Sequence, residues 1–221
     1  MQICRQGNGH YLDGLNNQDY FFAEGNVKLI TDGCSSGRFS EVGTRLFCQL
    51  FSQLEDRLEI TKFEENVDTV FKKILSLKPS NCDSDANDFV HDNLLFTIVA
   101  CFELEDKFVV KSIGDGYIIT VNNADLVSYI RLFYGEKPPY YSYNILESQL
   151  YPAPLTFKTF EFSKRDFKKV GIASDGISPI AEKKVEDSFD PFFLEKHSVY
   201  TPEGIIRSNH TAFYDDITIL F

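Results

Sequence analysis

Nothing in the 221 residues reads as a membrane span: no apolar run approaches the roughly 18 residues that one needs. The start, Met1-Gln2-Ile3-Cys4-Arg5, lacks the basic-then-apolar layout of a signal peptide. Cysteine is sparse and unpatterned. The five, at 4, 34, 48, 82 and 101, are odd in number and contain no CxxC spacing, which excludes a disulfide framework and a zinc site and places the protein in a reducing compartment, read as the cytoplasm. Positive charge is also scarce. Twenty-two Lys and Arg stand against 33 Asp and Glu, a net charge of −11 that repels phosphate backbones and anionic lipid. Nucleic acid and membrane are therefore excluded as partners, and a role holding divalent cations fits. There is no internal repeat, low-complexity tract or linker-like shift in composition, so residues 1–221 read as one domain. A hydrophobic fraction of 43% rules out a largely disordered chain.

What is present is a sequence of strands, then helices, then strands. Tyr20-Phe21-Phe22-Ala23 and Val27-Lys28-Leu29-Ile30-Thr31 flank Glu24-Gly25-Asn26, a hairpin signal. Val42, Leu46, Phe47, Leu50, Phe51, Leu54 and Leu58 recur at helical spacing and predict a helix over 41–59. Thr61 with Glu64 fits a capping box, opening a second amphipathic helix over 64–77. The Ser/Asn/Asp-rich stretch 79–88 reads as a loop, and the Pro- and Tyr-rich stretch 135–154 as an irregular connection. The continuous apolar run 94–102 fits a strand buried on both faces. Further strands are predicted over 108–113, 117–121, 156–162, 169–173 and 217–221. This order argues for an α+β fold with two packed antiparallel sheets flanked by helices, a four-layer αββα sandwich, with the helices around 41–59 and 64–77 sharing one outer face.

Asp-Gly occurs four times, where chance predicts about one, and a type I′ turn explains any single pair. Three of the pairs, at Asp32, Asp115 and Asp175, place the acid at the end of an apolar strand. Asp215-Asp216 and Asp19 add acids at strand starts. Strand ends of packed sheets can converge on one rim, where carboxylates and glycine carbonyls offer only hard oxygen ligands, suited to Mg²⁺ or Mn²⁺.

The ordered set Asn17-Gln18-Asp19, Thr31-Asp32-Gly33-Cys34-Ser35-Ser36-Gly37, Gly114-Asp115-Gly116, Ala173-Ser174-Asp175-Gly176 and Asp215-Asp216-Ile217-Thr218 resembles the type 2C metal-dependent protein phosphatases over nearly the whole chain. Gly7-Asn8-Gly9-His10 leading to Gln18-Asp19, and Ser40-Glu41-Val42-Gly43, resemble the short bacterial branch of that family. The resemblance implies hydrolysis of phosphoserine and phosphothreonine in proteins by attack of a water shared between two Mn²⁺ or Mg²⁺ ions, in a signalling pathway with a serine/threonine kinase. It implies that Asp32 bridges the two ions, that the Gly33 carbonyl holds one of them, and that Asp175 and Asp215 bind one ion directly. Asp19 would act through bound water, Asp115 would hold a weaker third ion, and Asp216 would orient waters or backbone. Two positions depart from the pattern. Gly14 stands where many members carry an Arg that clamps the substrate phosphate, leaving Arg5 and His10 as the nearby cationic candidates; His10 is the one assigned to the catalytic site. Cys34 stands where some members carry a His, and no Cys-x5-Arg loop surrounds it to make a nucleophile. The sequence allows two other readings: a silent relative that binds phosphoproteins without hydrolysing them, and an oxygen-ligand metal hydrolase for a small phosphorylated molecule. The presence of Asp32, Asp175 and Asp215 favours an enzyme.

Overall fold

The computed structural model describes residues 1–78, 85–135, 137–146, 154–182 and 213–221. It opens with strand β1 (Gln2–Arg5) and a short helix α1 (Asn8–Asp13), then the hairpin β2 (Tyr20–Glu24) and β3 (Val27–Gly33). Helices α2 (Ser40–Phe51), α3 (Phe63–Ser76) and α4 (Ala86–Asn93) follow. Strands β4 (Phe96–Glu103), β5 (Lys107–Ile113), β6 (Tyr117–Asn122) and β7 (Val127–Arg131) come next. The described chain ends with β8 (Lys158–Ser163), β9 (Phe167–Ala173), the single-turn helix α5 (Ser178–Ala181) and β10 (Ile217–Leu220).

The described strands form two five-stranded sheets, ordered β1-β10-β9-β6-β7 and β2-β3-β4-β5-β8, and every neighbouring pair is antiparallel. The expected pair of packed antiparallel sheets flanked by helices is what forms. Between the sheets, Ile30, Val99, Cys101 and Val110 of one meet Ile118, Val170, Ile172 and Leu220 of the other in a single buried layer. Period-2 alternation sends the intervening residues of β3 and β4 to the opposite face. There Leu29, Phe96, Ile98 and Phe102 meet Phe47 and Phe51 of α2 and Phe63, Val67 and Phe71 of α3. The rings touch at geometries favourable to their quadrupoles: Phe47 lies 5.5 Å from both Phe71 and Phe96, and Phe63 lies edge-on to Phe102 at 5.4 Å. Both helices thus share one outer face, as their sequence patterns require. β4 is buried at seven successive positions, which is why its sequence is apolar without alternation. On the outer face of the other sheet, Ile177 and Ile180 of the α5 region pack with Phe213 on Ile119, Ala173, Ile217 and Ile219. Residues 183–212 lie outside the described residues.

Several local expectations differ from the fold. α2 stops at Phe51, short of residue 59, and the chain continues in turns; Arg57 donates through Nη1 to the Leu54 carbonyl at 2.8 Å and forks onto Glu24. Leu54 and Leu58 still pack on the core from these turns, so the helical spacing of apolar residues outlives the helix. α3 begins at Phe63 without a side-chain cap, because a 3₁₀ turn over Ile60–Lys62 occupies the place of the Thr61–Glu64 capping box. Residues 86–88, read as loop, open α4, whose N-terminus Asp85 caps through its side chain. The described part of 135–154 holds only a 3₁₀ turn, Tyr141–Asn144. β1, α1 and β7 were not foreseen.

Gly43 explains its own motif. A Cβ there would overlap the Asn93 carbonyl oxygen, so only glycine lets α2 lie this close to the end of α4.

Candidate metal centre and active site

The two sheets deliver acids to one rim from five points in the chain. Asp19 immediately precedes β2, and Asp32 sits near the end of β3, paired with Thr97 at the start of β4. Asp115 lies between β5 and β6, which belong to different sheets, so Gly114-Asp115-Gly116 is a crossover and not a hairpin. Gly114 and Gly116 hold φ of 102° and 100°, backbone that other residues rarely adopt, and this carries the chain across with Asp115 at the edge. Thr97 fixes Asp115 twice: its hydroxyl bonds the Asp115 carboxylate and accepts the Asp115 N–H at 3.1 Å. Asp175 follows β9, and Asp215 precedes β10 by two residues. Gly33 is buried beside Asp32.

These carboxylates feel one another. Burial pushes Asp32 well above the usual carboxylate range, and the charges of Asp19, Asp175, Asp115 and Asp215 push it further. Its Oδ2 accepts the Asp175 N–H at 3.4 Å. Burial, with the charges of Asp115 and Asp215, raises Asp175 to about 7. Burial also raises Asp115 and Asp215, against relief from the Thr97 hydroxyl and the Asp216 N–H respectively. Asp19 lies deepest, 2% exposed, and burial drives it to about 8. Ser174 and Thr218 lie beside Asp19 and offset part of this, yet neither carboxylate oxygen makes a hydrogen bond of acceptable geometry. A buried carboxylate with two orphaned oxygens, beside an Asp32 that itself feels the charges of four acids, is an arrangement that cations relieve. All the donors are hard oxygens, so the set fits Mn²⁺ or Mg²⁺.

His10 meets this rim at Asp215. Its ring is buried on α1, and Nδ1 lies 2.9 Å from Asp216 Oδ2. Asp216 also accepts the Gly7 N–H at 2.7 Å and the Gln18 N–H at 2.6 Å, so it clamps both ends of the segment that leads to Asp19. His10 Nε2 lies 3.9 Å from Asp215 Oδ1. Among the described residues, His10, Asp215 and Asp216 form a group whose ligand atoms all lie within 4.8 Å of one another. Arg5, the other cationic candidate, is on β1 opposite Ile217. Gly14 caps α1 in the left-handed conformation.

Sequence reasoning missed three neighbours of the site. Arg131, at the end of β7, lowers Asp115 and Asp175 by its charge and lies 3.8 Å from Glu182. Its strand follows the Asn122-Asn123-Ala124-Asp125 turn, a signal that could have revealed it. Tyr140 is buried beside Cys34; burial first and Cys34 next hold its phenol far above the ordinary range, with the charges of Asp115 and Asp32 adding to this. Ser174 accepts the Thr218 N–H at 2.9 Å and donates to the Asp216 carbonyl at 3.3 Å, pinning β10 against the segment that bears Asp175. Cys34 itself lies 3.0 Å from the Ser36 hydroxyl. The basic turn at Lys164-Arg165 is tied into the surface: Lys164 pairs with Glu103 at 2.9 Å, and Lys168 pairs with Asp125. His197 and His210 lie outside the described residues, and no described helix is long and apolar enough to cross a membrane.

Solved structures share this architecture at low identity. The serine/threonine phosphatase PstP/Ppp of Mycobacterium tuberculosis is 14% identical, with a TM-score of 0.62 over 99% of this chain and 95% of that one. Its catalytic domain has also been solved in complex with two manganese ions. Stp1, a serine/threonine phosphatase of Staphylococcus aureus, is 14% identical with a TM-score of 0.61, over 99% and 92% of the two chains. PppA, a regulatory component of a secretion system in Pseudomonas aeruginosa, is 13% identical with a TM-score of 0.61, over 99% and 94%. At these identities the likeness shows the fold. No curated protein is similar enough to match. The family model described as protein phosphatase 2C, however, matches residues 6–211, nearly the whole chain. The chain belongs to the protein phosphatase 2C family.

Proposed function

We propose that the chain is a serine/threonine protein phosphatase whose acid rim holds two divalent ions, Mn²⁺ or Mg²⁺. The observation that carries this is the convergence of Asp19, Asp32, Asp115, Asp175 and Asp215 on one edge, where burial raises each of them and the charges of neighbouring acids add to this for Asp32, Asp175 and Asp215. The two manganese ions in the PstP catalytic domain support the count and the metal.

Asp32, central to the repulsion, would hold both ions, with the Gly33 carbonyl, Asp175 and Asp215 completing the ligands. Asp115 would hold a weaker third. Such ions, when bound, screen the phosphoryl oxygens and make a water acidic enough to attack in line at neutral pH. The protein's own part is to fix the acids on rigid strand ends, where crossover glycines and threonine hydroxyls set their spacing. Asp19, buried next to Asp32, would act through bound water. His10 joins from beneath Asp215. Cys34 contributes no covalent step in this reading.

Substrates would be phosphorylated proteins supplied by a serine/threonine kinase, in the cytoplasm, where the four described cysteines would remain the free thiols they are here. A substrate panel tests the reading. The Mn²⁺-loaded protein should release phosphate from phosphoserine and phosphothreonine peptides faster than from small phosphorylated metabolites. Faster turnover of the metabolites would make it a small-molecule phosphatase. Metal binding without any turnover would make it a silent phosphoprotein-binding relative.

A further inference from the structure

The histidine on α1 has one nitrogen accounted for and one that is not. Backbone amides can only donate, so Gly7 N–H and Gln18 N–H make both Asp216 oxygens acceptors. The ring nitrogen 2.9 Å from Oδ2 is therefore an N–H donor. With Nδ1 as the donor, Nε2 is the ring nitrogen left to offer a lone pair to a metal. Nε2 faces Asp215 Oδ1 at 3.9 Å, too far for a hydrogen bond. Two electron-rich atoms thus point at one gap. An ion at the roughly 2.1 Å typical of imidazole and carboxylate bonds to a small divalent metal could touch atoms up to about 4.2 Å apart.

Burial separates this role from phosphate binding. The His10 side chain is 8% exposed while Asp215 is 45% exposed, so the ring lies beneath Asp215 and does not reach toward a ligand arriving from solvent. A carboxylate that orients a histidine through Nδ1 while Nε2 binds a metal is a recurrent arrangement in metal sites.

We propose that His10 Nε2 is a direct nitrogen ligand of the ion held by Asp215, oriented by Asp216, and that it biases this site toward Mn²⁺ over Mg²⁺. Imidazole binds the transition ion better than the harder Mg²⁺. The inference rests on the proposal that Asp215 holds a metal.

Pulsed electron paramagnetic resonance on the full chain loaded with Mn²⁺ tests it. The native protein should show imidazole ¹⁴N coupling to Mn²⁺, and His10→Asn should lose it while still binding Mn²⁺. Calorimetric titration should find Mn²⁺ affinity at this site weakened about tenfold or more in His10→Asn, with Mg²⁺ affinity changed far less. If His10→Asn fails to fold, the triple variant His91→Gln, His197→Gln, His210→Gln leaves His10 as the only imidazole and should keep the coupling. Mn²⁺ binding without nitrogen coupling, or coupling that vanishes in the triple variant, would overturn the assignment and leave the phosphatase reading standing. No Mn²⁺ binding at all would overturn both.

Discussion

Asp19→Asn should stabilise the metal-free protein at neutral pH, although it removes a residue assigned to the site. Asp19 is buried, its carboxylate oxygens have no hydrogen bond, and its folded value of about 8 stands above an ordinary 3.8. A carboxyl raised on folding contributes stability that is complete below its unfolded value and is lost as pH climbs through the folded one. The window is therefore from about pH 4 to about pH 8. At pH 7 the unfolded chain has gained roughly three pH units of ionisation that the fold resists, on the order of 4 kcal/mol relative to acid solution. Asparagine does not titrate and escapes this loss. Its amide needs acceptors, and Ser174 and Thr218 are adjacent, so the substitution costs about 1 kcal/mol of imperfect hydrogen bonding. The net gain is about 2–3 kcal/mol at pH 7, or roughly 4–10 °C for a chain of this size. Differential scanning fluorimetry in chelator at about pH 4.5 and pH 7 measures it: the variant should melt higher at pH 7 and no higher at pH 4.5. Saturating Mn²⁺ should raise the native protein by several degrees and the variant by less. A variant that melts lower than native by the same amount at both pH values would refute the reasoning, because it would mean that Asp19 is comfortably hydrogen-bonded.

The remaining expectations concern single residues. Asp32→Ala should reduce phosphopeptide turnover most, by at least about a hundredfold, with Asp175→Ala and Asp215→Ala next; Asp115→Ala should lower kcat without loss of the ion pair measured by calorimetry. Cys34→Ser should stay within about threefold of native activity, since no thiolate step is involved; a dead Cys34→Ser enzyme beside an active Asp32→Ala would mean a covalent mechanism. Gly43→Ala should destabilise by about 1–3 kcal/mol in urea melts, because its methyl collides with the Asn93 carbonyl and α2 must move off α4.

The sequence disclosed those parts of the fold that rest on periodicity and turn chemistry. Gly25-Asn26 fixed the β2–β3 hairpin with Glu24 opposite Val27, and the unbroken apolar run became the doubly buried β4. β1, α1 and β7 escaped because their short stretches are interrupted by exposed polar residues and carry no apolar run to read. The end of α2 escaped because Leu54 and Leu58 keep the apolar stripe going from non-helical turns. At the site, five acids were legible because Asp-Gly and Asp-Asp pairs stood at the ends of readable strands. Their neighbours were not, since tertiary contact alone places them. Arg131 reaches Asp115 and Asp175 from the end of β7, and Tyr140 meets Cys34 from a loop with no regular pattern. The crossover at Gly114-Asp115-Gly116 was not legible as one, because a positive-φ turn looks the same in sequence whether it joins two strands of one sheet or two sheets.

Phosphate release from a phosphothreonine peptide tests the central claim most directly. The chelated protein should be inactive, Mn²⁺ should restore turnover in a saturable titration, and Asp32→Asn should abolish the restoration. Hydrolysis that persists in chelator, or that Asp32→Asn leaves intact, would contradict the assignment of the acid rim as the catalytic metal centre.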